Sequence, residues 1–297
     1  SGDRRIAVVS FQDEEGWFGG LTGSAVWSGA MTEQNADALI GADGISLAEA
    51  RKAAGQIAPL ADVSPDRFTG YLEAHIEQGP VLDQSGEALG VVEAIVGLRQ
   101  RIVHITGQAN HAGTTPMPMR RDAVVCLAGL ITGWAERLSA MAGPDTVWTT
   151  GRIEVHPNAP SVVPGAATVS LQMRDPDGDL LDRMMTAAMD LAETQAKAAG
   201  LHVTSEPSMS FDPVPMTPEM VSGLVAAAEA EAPGKWRRMP SGALHDASNV
   251  ARRMPVGMLF VPSLGGLSHT PDEDTARDDL ATGLGALARA AWSLAPA

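Results

Sequence analysis

The sequence contains one cysteine in 297 residues, Cys126, which excludes a framework of disulfide bonds. Cys126 lies inside the apolar run AVVCLAGLI, and we interpret it as a small buried hydrophobic side chain. A chain nearly free of cysteine is typical of a reducing compartment, so we expect a cytoplasmic protein.

Basic residues are also scarce. Lysines and arginines number 21 against 36 aspartates and glutamates, which gives a formal net charge of -15. A surface this acidic repels phosphate backbones, so nucleic-acid binding is disfavoured and a small polar substrate or a cation fits better. Apolar runs long enough to span a bilayer are lacking, so we expect no membrane partner. The opening residues SGDRR lead straight into an apolar run, and we expect no secretory signal there.

Hydrophobic residues make up 44% of the chain, enough for a substantial core. The apolar run IAVVSF at 6–11 predicts a strand buried on both faces, as in a parallel sheet. Sequence patterns predict further strands at 71–76, 101–106, 147–155, 167–173, 201–205 and 255–261. They predict helices at 47–54, 120–141, 179–199, 217–232 and 274–294.

The predicted order from 97 to 211 is β-α-β-β-α-β, which is typical of a ferredoxin-like domain. The flanking segments, 1–96 and 212–297, predict one α/β domain that this insert interrupts. Such an insert has edge strands that can pair with a second copy of the chain, and we expect a homodimer formed through 101–106 or 201–205.

Glutamates and histidines gather at predicted strand ends and loops of the α/β domain, namely Glu14, Glu15, His75, His245 and His269. Active sites of open α/β sheets lie at the carboxyl ends of strands. Carboxylate oxygen and imidazole nitrogen bind divalent metals, and amide hydrolysis uses a metal-activated water beside a carboxylate base. Each signal alone has an ordinary alternative, because glutamate pairs in turns are commonly solvated and lone histidines commonly bond to backbone carbonyls.

Five motifs follow one another along the chain: HIEQG, NHAGTTPM with RRDA after it, PNAPSVVPG, SGALHDA and VPSLGGLSH. In this order they resemble the amidase/hydantoinase/carbamoylase family, which includes N-carbamoyl-L-amino-acid hydrolases and allantoate amidohydrolases. The resemblance implies an aminopeptidase-like α/β catalytic domain with an inserted ferredoxin-like lid and dimerisation domain. It implies hydrolysis of a ureido or carbamoyl C–N bond by an enzyme with two divalent metal ions, such as Zn, Mn, Co or Ni.

The same resemblance implies a function for individual residues. Glu14 would be the general base, and His111 would reach a partner's active site to stabilise the oxyanion. The metal ligands would be Glu15, His75 and His269. The substrate-binding residues would be Gln78, Asn158, Ser161, Arg174 and His245, with Arg174 gripping a carboxylate through two hydrogen bonds. A surface ion pair with Asp175 or Asp177 is the alternative for Arg174.

Two departures from the family pattern bear on function. Ser161 stands where a substrate-binding Asn is expected, and its shorter hydroxyl side chain has no amide donor. The family's His-x-Asp motif and metal-bridging Asp have no counterpart before the run at 6–11, so the chain looks like a member without its N-terminal part. This keeps open a catalytically incomplete protein that binds a small acid or serves in assembly, as well as a related peptidase or deacylase. The histidine at 75 argues against the last, since those relatives usually carry a carboxylate there.

Overall fold

The computed structural model describes residues 5–55 and 63–296, which form two compact units. Unit 1 consists of Ser1–Ile95 together with Val214–Ala297, and unit 2 is Val96–Pro213. Residues 1–4, within the opening SGDRR, lie outside the described residues. The assignment of catalysis to one unit and of a lid to the other stays a prediction.

The helices and strands follow in chain order. The first segment of unit 1 holds α1 (Thr22–Ser28), α2 (Glu33–Asp37), α3 (Leu47–Ala53), β1 (Tyr71–Ile76), α4 (Val81–Ser85) and β2 (Leu89–Ile95). Unit 2 holds β3 (Gly97–Thr106), β4 (Asn110–His111), α5 (Ala123–Ser139), β5 (Val147–Thr149), β6 (Ile153–His156), β7 (Val162–Val163), β8 (Ala166–Asp175), α6 (Gly178–Ala198) and β9 (His202–Phe211). The second segment of unit 1 holds β10 (Val214–Pro215), α7 (Pro218–Glu231), β11 (Trp236–Ser241), α8 (Asp246–Val250), β12 (Val256–Val261) and α9 (Arg277–Leu294).

Unit 1 is built on a mixed sheet in the order β1-β12-β2-β10, with β11 also paired to β2. Strands β1 and β12 run parallel, and His75 is level with Phe260. Their carboxyl ends therefore meet at one edge of the sheet. Every residue of β12 is buried, because α7 and α9 pack over the sheet. Strand β10 pairs antiparallel with β2, with Val214 opposite Ile95.

Unit 2 has an antiparallel sheet in the order β5-β8-β3-β9, with β6 also paired to β8. Helices α5 and α6 supply the other half of its core, where Trp134 is 1% exposed and donates to the carbonyl oxygen of Ala188 over 2.8 Å. Cys126 is buried in the same core, as its apolar context indicates. Asp177 begins α6 by accepting a hydrogen bond from the amide of Leu180.

Two of the predicted strands and one predicted sheet edge differ from the structure. The run at 6–11 forms no strand among the described residues, and Val8 is 96% exposed. A β-branched run has strand propensity, but a strand also needs a hydrogen-bonding neighbour, which the composition of the run does not specify. The predicted edge at 101–106 is wrong, because β3 pairs with β8 on one side and β9 on the other. The predicted strand at 147–155 is two strands, β5 and β6.

Among the described residues, none of the helices combines the length and the apolar character needed to traverse a bilayer.

Candidate active site

A carboxylate-centred loop presents Glu14 and Glu15. The carboxylate of Asp13 accepts hydrogen bonds from the amides of Phe18 and Gly19, each over 2.9 Å, and from the amide of Gly20 over 3.3 Å. These bonds fold residues 13–20 back on themselves. The hydrogen bonds lower the pKa of Asp13 against the opposing effect of its burial, so it stays an ionised acceptor. Glu14 and Glu15, which follow Asp13, are thereby held at the start of the loop.

The HIEQG segment continues from the carboxyl end of β1. His75 lies near that end, and its Nδ1 is 2.7 Å from the carbonyl oxygen of Ile76. A carbonyl only accepts, so Nδ1 carries the proton and Nε2 faces away with its lone pair in the neutral ring. Glu77 accepts from the amides of Val81 and Leu82, each over 2.8 Å. Its carboxylate therefore caps α4 and fixes the turn after His75.

Three side chains of unit 1 converge in what we call the inner cluster: Glu14, His75 and His245. Glu14 Oε1 is 3.7 Å from His75 Nε2 and 3.6 Å from His245 Nδ1, and the two imidazole rings lie 4.5 Å apart. Both separations exceed an ordinary hydrogen bond, so the contacts are electrostatic. The side chain of His245 is 1% exposed, against 20% for Glu14. The three residues offer ligand atoms within 4.8 Å of one another.

The charges in the inner cluster are strongly coupled. The facing imidazoles of His245 and His75 lower the pKa of Glu14 to about 2, although burial opposes this. Burial by itself lowers the pKa of His75, but Glu14 and the Ile76 carbonyl outweigh it and raise the value to about 9. Burial lowers the pKa of His245. The protein without a metal therefore carries a carboxylate at Glu14, an imidazolium at His75 and a neutral ring at His245.

His245 leaves one buried nitrogen without a hydrogen-bond partner among the described residues, Nδ1. Its Nε2 lies 2.8 Å from Ser241 Oγ, and that hydroxyl donates to the carbonyl oxygen of Ala243 over 3.0 Å. Nδ1 faces the carboxylate of Glu14. In the tautomer with a lone pair on Nδ1, this nitrogen fits a cation or an N–H donor of a substrate. Two imidazole nitrogens and one carboxylate oxygen are suitable donors for a divalent metal.

A buried glutamate lies behind the inner cluster. Glu73, 8% exposed, accepts from the amide of Ala247 over 2.8 Å and from the hydroxyl of Tyr71 over 3.3 Å. The first bond joins β1 to the first turn of α8, which begins directly after His245. Burial and the nearby carboxylate of Asp246 raise the pKa of Glu73 to about 7. Glu73 thus supports the backbone that carries His245.

A second group, the outer cluster, consists of Glu15, Gln78 and His269. Glu15 Oε2 lies 3.1 Å from His269 Nε2, and Gln78 Nε2 donates to Glu15 Oε1 over 3.2 Å. The amide of Gln78 is anchored by Ser263 Oγ at 3.0 Å, which ties the end of β1 to the loop after β12. The Glu15 and His269 side chains are 58% and 70% exposed, so the outer cluster is open to solvent.

Unit 2 carries the remaining predicted residues. His111 in β4 is level with Val162 in β7, and the amide of Ala112 donates to the carbonyl oxygen of Ser161 over 2.9 Å. These bonds place the His111 loop beside the turn that holds Asn158. Arg174 lies on β8, where its Nε donates to Gln172 Oε1 over 3.2 Å.

The structure thus joins the predicted pair Glu15 and His269, and it joins Glu14 to His75 and His245. The supporting residues Asp13, Glu73 and Ser241 were not foreseen from the sequence. Only Asp13 had a recognisable signal, since an Asp followed closely by a Gly-rich loop is typical of a side chain that bonds its own turn.

Comparison with known proteins identifies the family of the chain. The model of peptidase family M20/M25/M40 matches residues 1–293, and the chain belongs to that family. Among curated relatives, it is 36% identical to an allantoate amidohydrolase of Escherichia coli strain K12 over 98% of this chain and 71% of that protein. It is 37% identical to an N-carbamoyl-L-amino acid amidohydrolase of Geobacillus stearothermophilus, again over 98% of this chain and 71% of that protein.

A solved structure shows the same likeness. The chain superposes on an amidase of the hydantoinase/carbamoylase family from Burkholderia phymatum with a TM-score of 0.89 and 38% identity. The match covers 97% of this chain and 70% of that one. The expected α/β character and the family resemblance are confirmed by these findings.

Proposed function

We propose that the chain hydrolyses a ureido or carbamoyl C–N bond, in an N-carbamoyl-L-amino acid or an allantoate-like substrate. The observation that carries the proposal is the inner cluster, in which an ionised glutamate faces two imidazoles at the carboxyl end of β1. The names of the relatives at 36% and 37% identity support the choice of bond. With an N-carbamoyl amino acid and one water, the products are the free amino acid, ammonia and carbon dioxide.

Glu14 is the general base in this proposal. It accepts a proton from the attacking water and delivers it to the leaving nitrogen. The neutral Nδ1 of His245 accepts an N–H of the ureido group, which fits its buried and unpartnered state. Gln78 would contact the substrate from the outer cluster, where it donates to Glu15.

Two divalent ions, of the Zn, Mn, Co or Ni type, belong to the proposal. His75 would hold one through Nε2, and Glu15 with His269 would hold the other. When bound, such ions supply Lewis-acid polarisation of the carbonyl under attack. His75 is prepared for this because its Nδ1–H is already directed to a backbone carbonyl.

Unit 2 is the proposed ferredoxin-like lid and dimerisation domain. The strand order β5-β8-β3-β9 and two helices on one sheet support that fold. Within the described residues strand β9 pairs with β3 alone, so its other edge would pair with a second copy. His111 would act in the partner's site, while Arg174, Asn158 and Ser161 bind the substrate acid. A cytoplasmic location completes the proposal, because the one cysteine is a buried thiol.

Ammonia release tests the proposal. Purified chain saturated with Zn, Mn or Co is supplied with N-carbamoyl-L-amino acids and with allantoate, and ammonia is measured over time. We expect release that falls roughly 100- to 10,000-fold in Glu14→Gln. Glu93→Gln is the matched control, since Glu93 lies on β2 in an exposed ion pair with Arg238. No release from any ureido acid would overturn the proposal. Calorimetric binding of the same acids would then identify a small-acid binding protein.

A further inference from the structure

The loop that follows β4 holds the His111 ring in a defined way. His111 Nδ1 accepts hydrogen bonds from the backbone amides of Gly113 at 3.0 Å and Thr114 at 3.2 Å. An amide N–H can only donate, so Nδ1 must present its lone pair. In the neutral ring the proton then resides on Nε2.

Thr115 joins the end of this loop to its beginning through hydrogen bonds. It is 8% exposed, and its hydroxyl donates to the carbonyl oxygen of His111 over 2.7 Å, while its amide donates to the same oxygen over 3.2 Å. A buried hydroxyl donor held this closely fixes the distance between the two ends of the loop. The amides of Gly113 and Thr114 are thereby kept pointing at the ring.

Arg120 braces the loop from the side of α5. Its Nε donates to the carbonyl oxygen of Thr115 over 3.1 Å, and its guanidinium also donates to the carbonyl oxygen of Ala112. Two bonds from one rigid fork to two carbonyls of the same loop hold its shape. The space is also tight, since a Cβ added at Gly113 would come within 3.2 Å of His111 Cε1.

We infer that residues 111–115 form a tautomer lock, in which Thr115 is a positioning residue that keeps His111 as an outward Nε2–H donor. A ring locked in this form donates a hydrogen bond to a carbonyl oxygen that gains negative charge. The same nitrogen is unsuited to take a proton from water while it carries its own. The catalytic consequence rests on the proposed function, whereas the lock itself rests only on the loop.

Nitrogen-15 NMR of histidine-labelled protein tests the lock directly. Long-range proton–nitrogen spectra distinguish Nε2–H from Nδ1–H imidazoles, and His111→Gln assigns the signal of His111. In mildly alkaline buffer, where ordinary imidazoles are neutral, we expect the Nε2–H form alone at His111. Thr115→Val should give a mixture of tautomers, and Thr115→Ser, which keeps the hydroxyl, should restore the pure form.

Thr186→Val is the matched control. The Thr186 hydroxyl donates to the carbonyl oxygen of Asp182 over 2.8 Å in exposed α6, so the same methyl-for-hydroxyl exchange is made away from the loop. It should leave the His111 signal unchanged. If Thr115→Val does not fold, Gly113→Ala serves instead, because its methyl group displaces the ring.

Activity separates the lock from the proposed function. In protein that releases ammonia, Thr115→Val should lower kcat on the order of tenfold with little change in KM, as expected for an interaction made in the transition state. An Nδ1–H tautomer or an equal mixture at His111 in the unaltered protein would overturn the lock, whether or not the chain is active. An inactive chain with a pure Nε2–H His111 would overturn only the proposed function.

Discussion

His75 Nε2 and Glu14 Oε1 face each other across 3.7 Å, and the encounter moves their pKa values in opposite directions, to about 9 and about 2. Both side chains are largely buried. The pair is therefore an ionised bridge in the metal-free protein, and it makes the stability and the metal affinity of the chain depend on pH.

The folding stability of metal-free protein should fall as the pH rises from 6.5 to about 9. A raised pKa in the folded state means that the stabilisation by His75 is complete below 6.5 and is lost as the pH passes about 9. The loss should be up to about 3 kcal/mol of unfolding free energy. Urea unfolding in the presence of a chelator measures it.

His75→Gln is the control for this prediction and should flatten that part of the pH curve. Glu73 acts in the same direction but in a lower window, since its pKa is raised from 4.5 to about 7 and its stabilisation is lost over that interval. A curve for His75→Gln as steep as that of the unaltered protein would contradict the assignment.

Zinc binding at neutral pH should release about one proton from His75, because that ring is protonated below about 9 and must become neutral to bind a metal. Titration calorimetry in two buffers with different ionisation enthalpies measures the release. His245→Gln should leave zinc affinity nearly unchanged and raise KM, as expected for a residue that contacts substrate. Loss of zinc binding in His245→Gln would instead make His245 a metal ligand.

Replacing Glu73 should separate its acceptor function from its charge. Glu73→Leu leaves the buried amide of Ala247 without an acceptor, and we expect a loss of roughly 1–3 kcal/mol in unfolding free energy together with lower kcat. Glu73→Gln keeps an acceptor oxygen and should retain most of the activity. Leu224→Ala, a core change in α7, should lower stability without lowering kcat. Equal kcat in the two Glu73 variants would contradict a positioning effect.

Asp13→Ala should loosen the loop that carries Glu14. Three backbone amides lose their common acceptor, but the site is partly open to water, so we expect a stability loss of only about 1 kcal/mol. Activity should fall much further, because Glu14 is no longer fixed. Hydrogen exchange at Phe18 and Gly19, measured beside ammonia release, checks both effects. Unchanged exchange at these amides would show that Asp13 does not hold the loop.

Local sequence signals predicted much of the fold. The strand expected at 71–76 is β1, and the helix expected at 179–199 is α6, which ends before Gly200. The alternation of a strand and the glycine that ends a helix are local features of each segment, so they can be recognised without knowing which segments pack beside it. The central strand β2 was not predicted. Its run LGVVEAI becomes a central strand only because β10, β11 and β12 pair with it from distant parts of the chain.

In the candidate site, too, some contacts could be predicted from the sequence and others could not. The family resemblance of the motifs implied that Glu15 and His269 would share a metal, and the structure places them 3.1 Å apart. The bond from Glu73 to the amide of Ala247 joins residues 174 positions apart. The donor to the Glu73 carboxylate is a backbone N–H, which every residue except proline has. Nothing in the sequence therefore identifies Ala247 as the partner of Glu73.

The pairing of Ile95 with Val214 has a consequence for the construction of the molecule. These residues are the last before unit 2 and the first after it, and they are antiparallel neighbours in one sheet. A two-residue hairpin turn is long enough to close that gap. Unit 2 is thus inserted between two paired strands of unit 1, as a loop is in a β-hairpin. We expect the pairing of these strands to tolerate insertions of other lengths at this point.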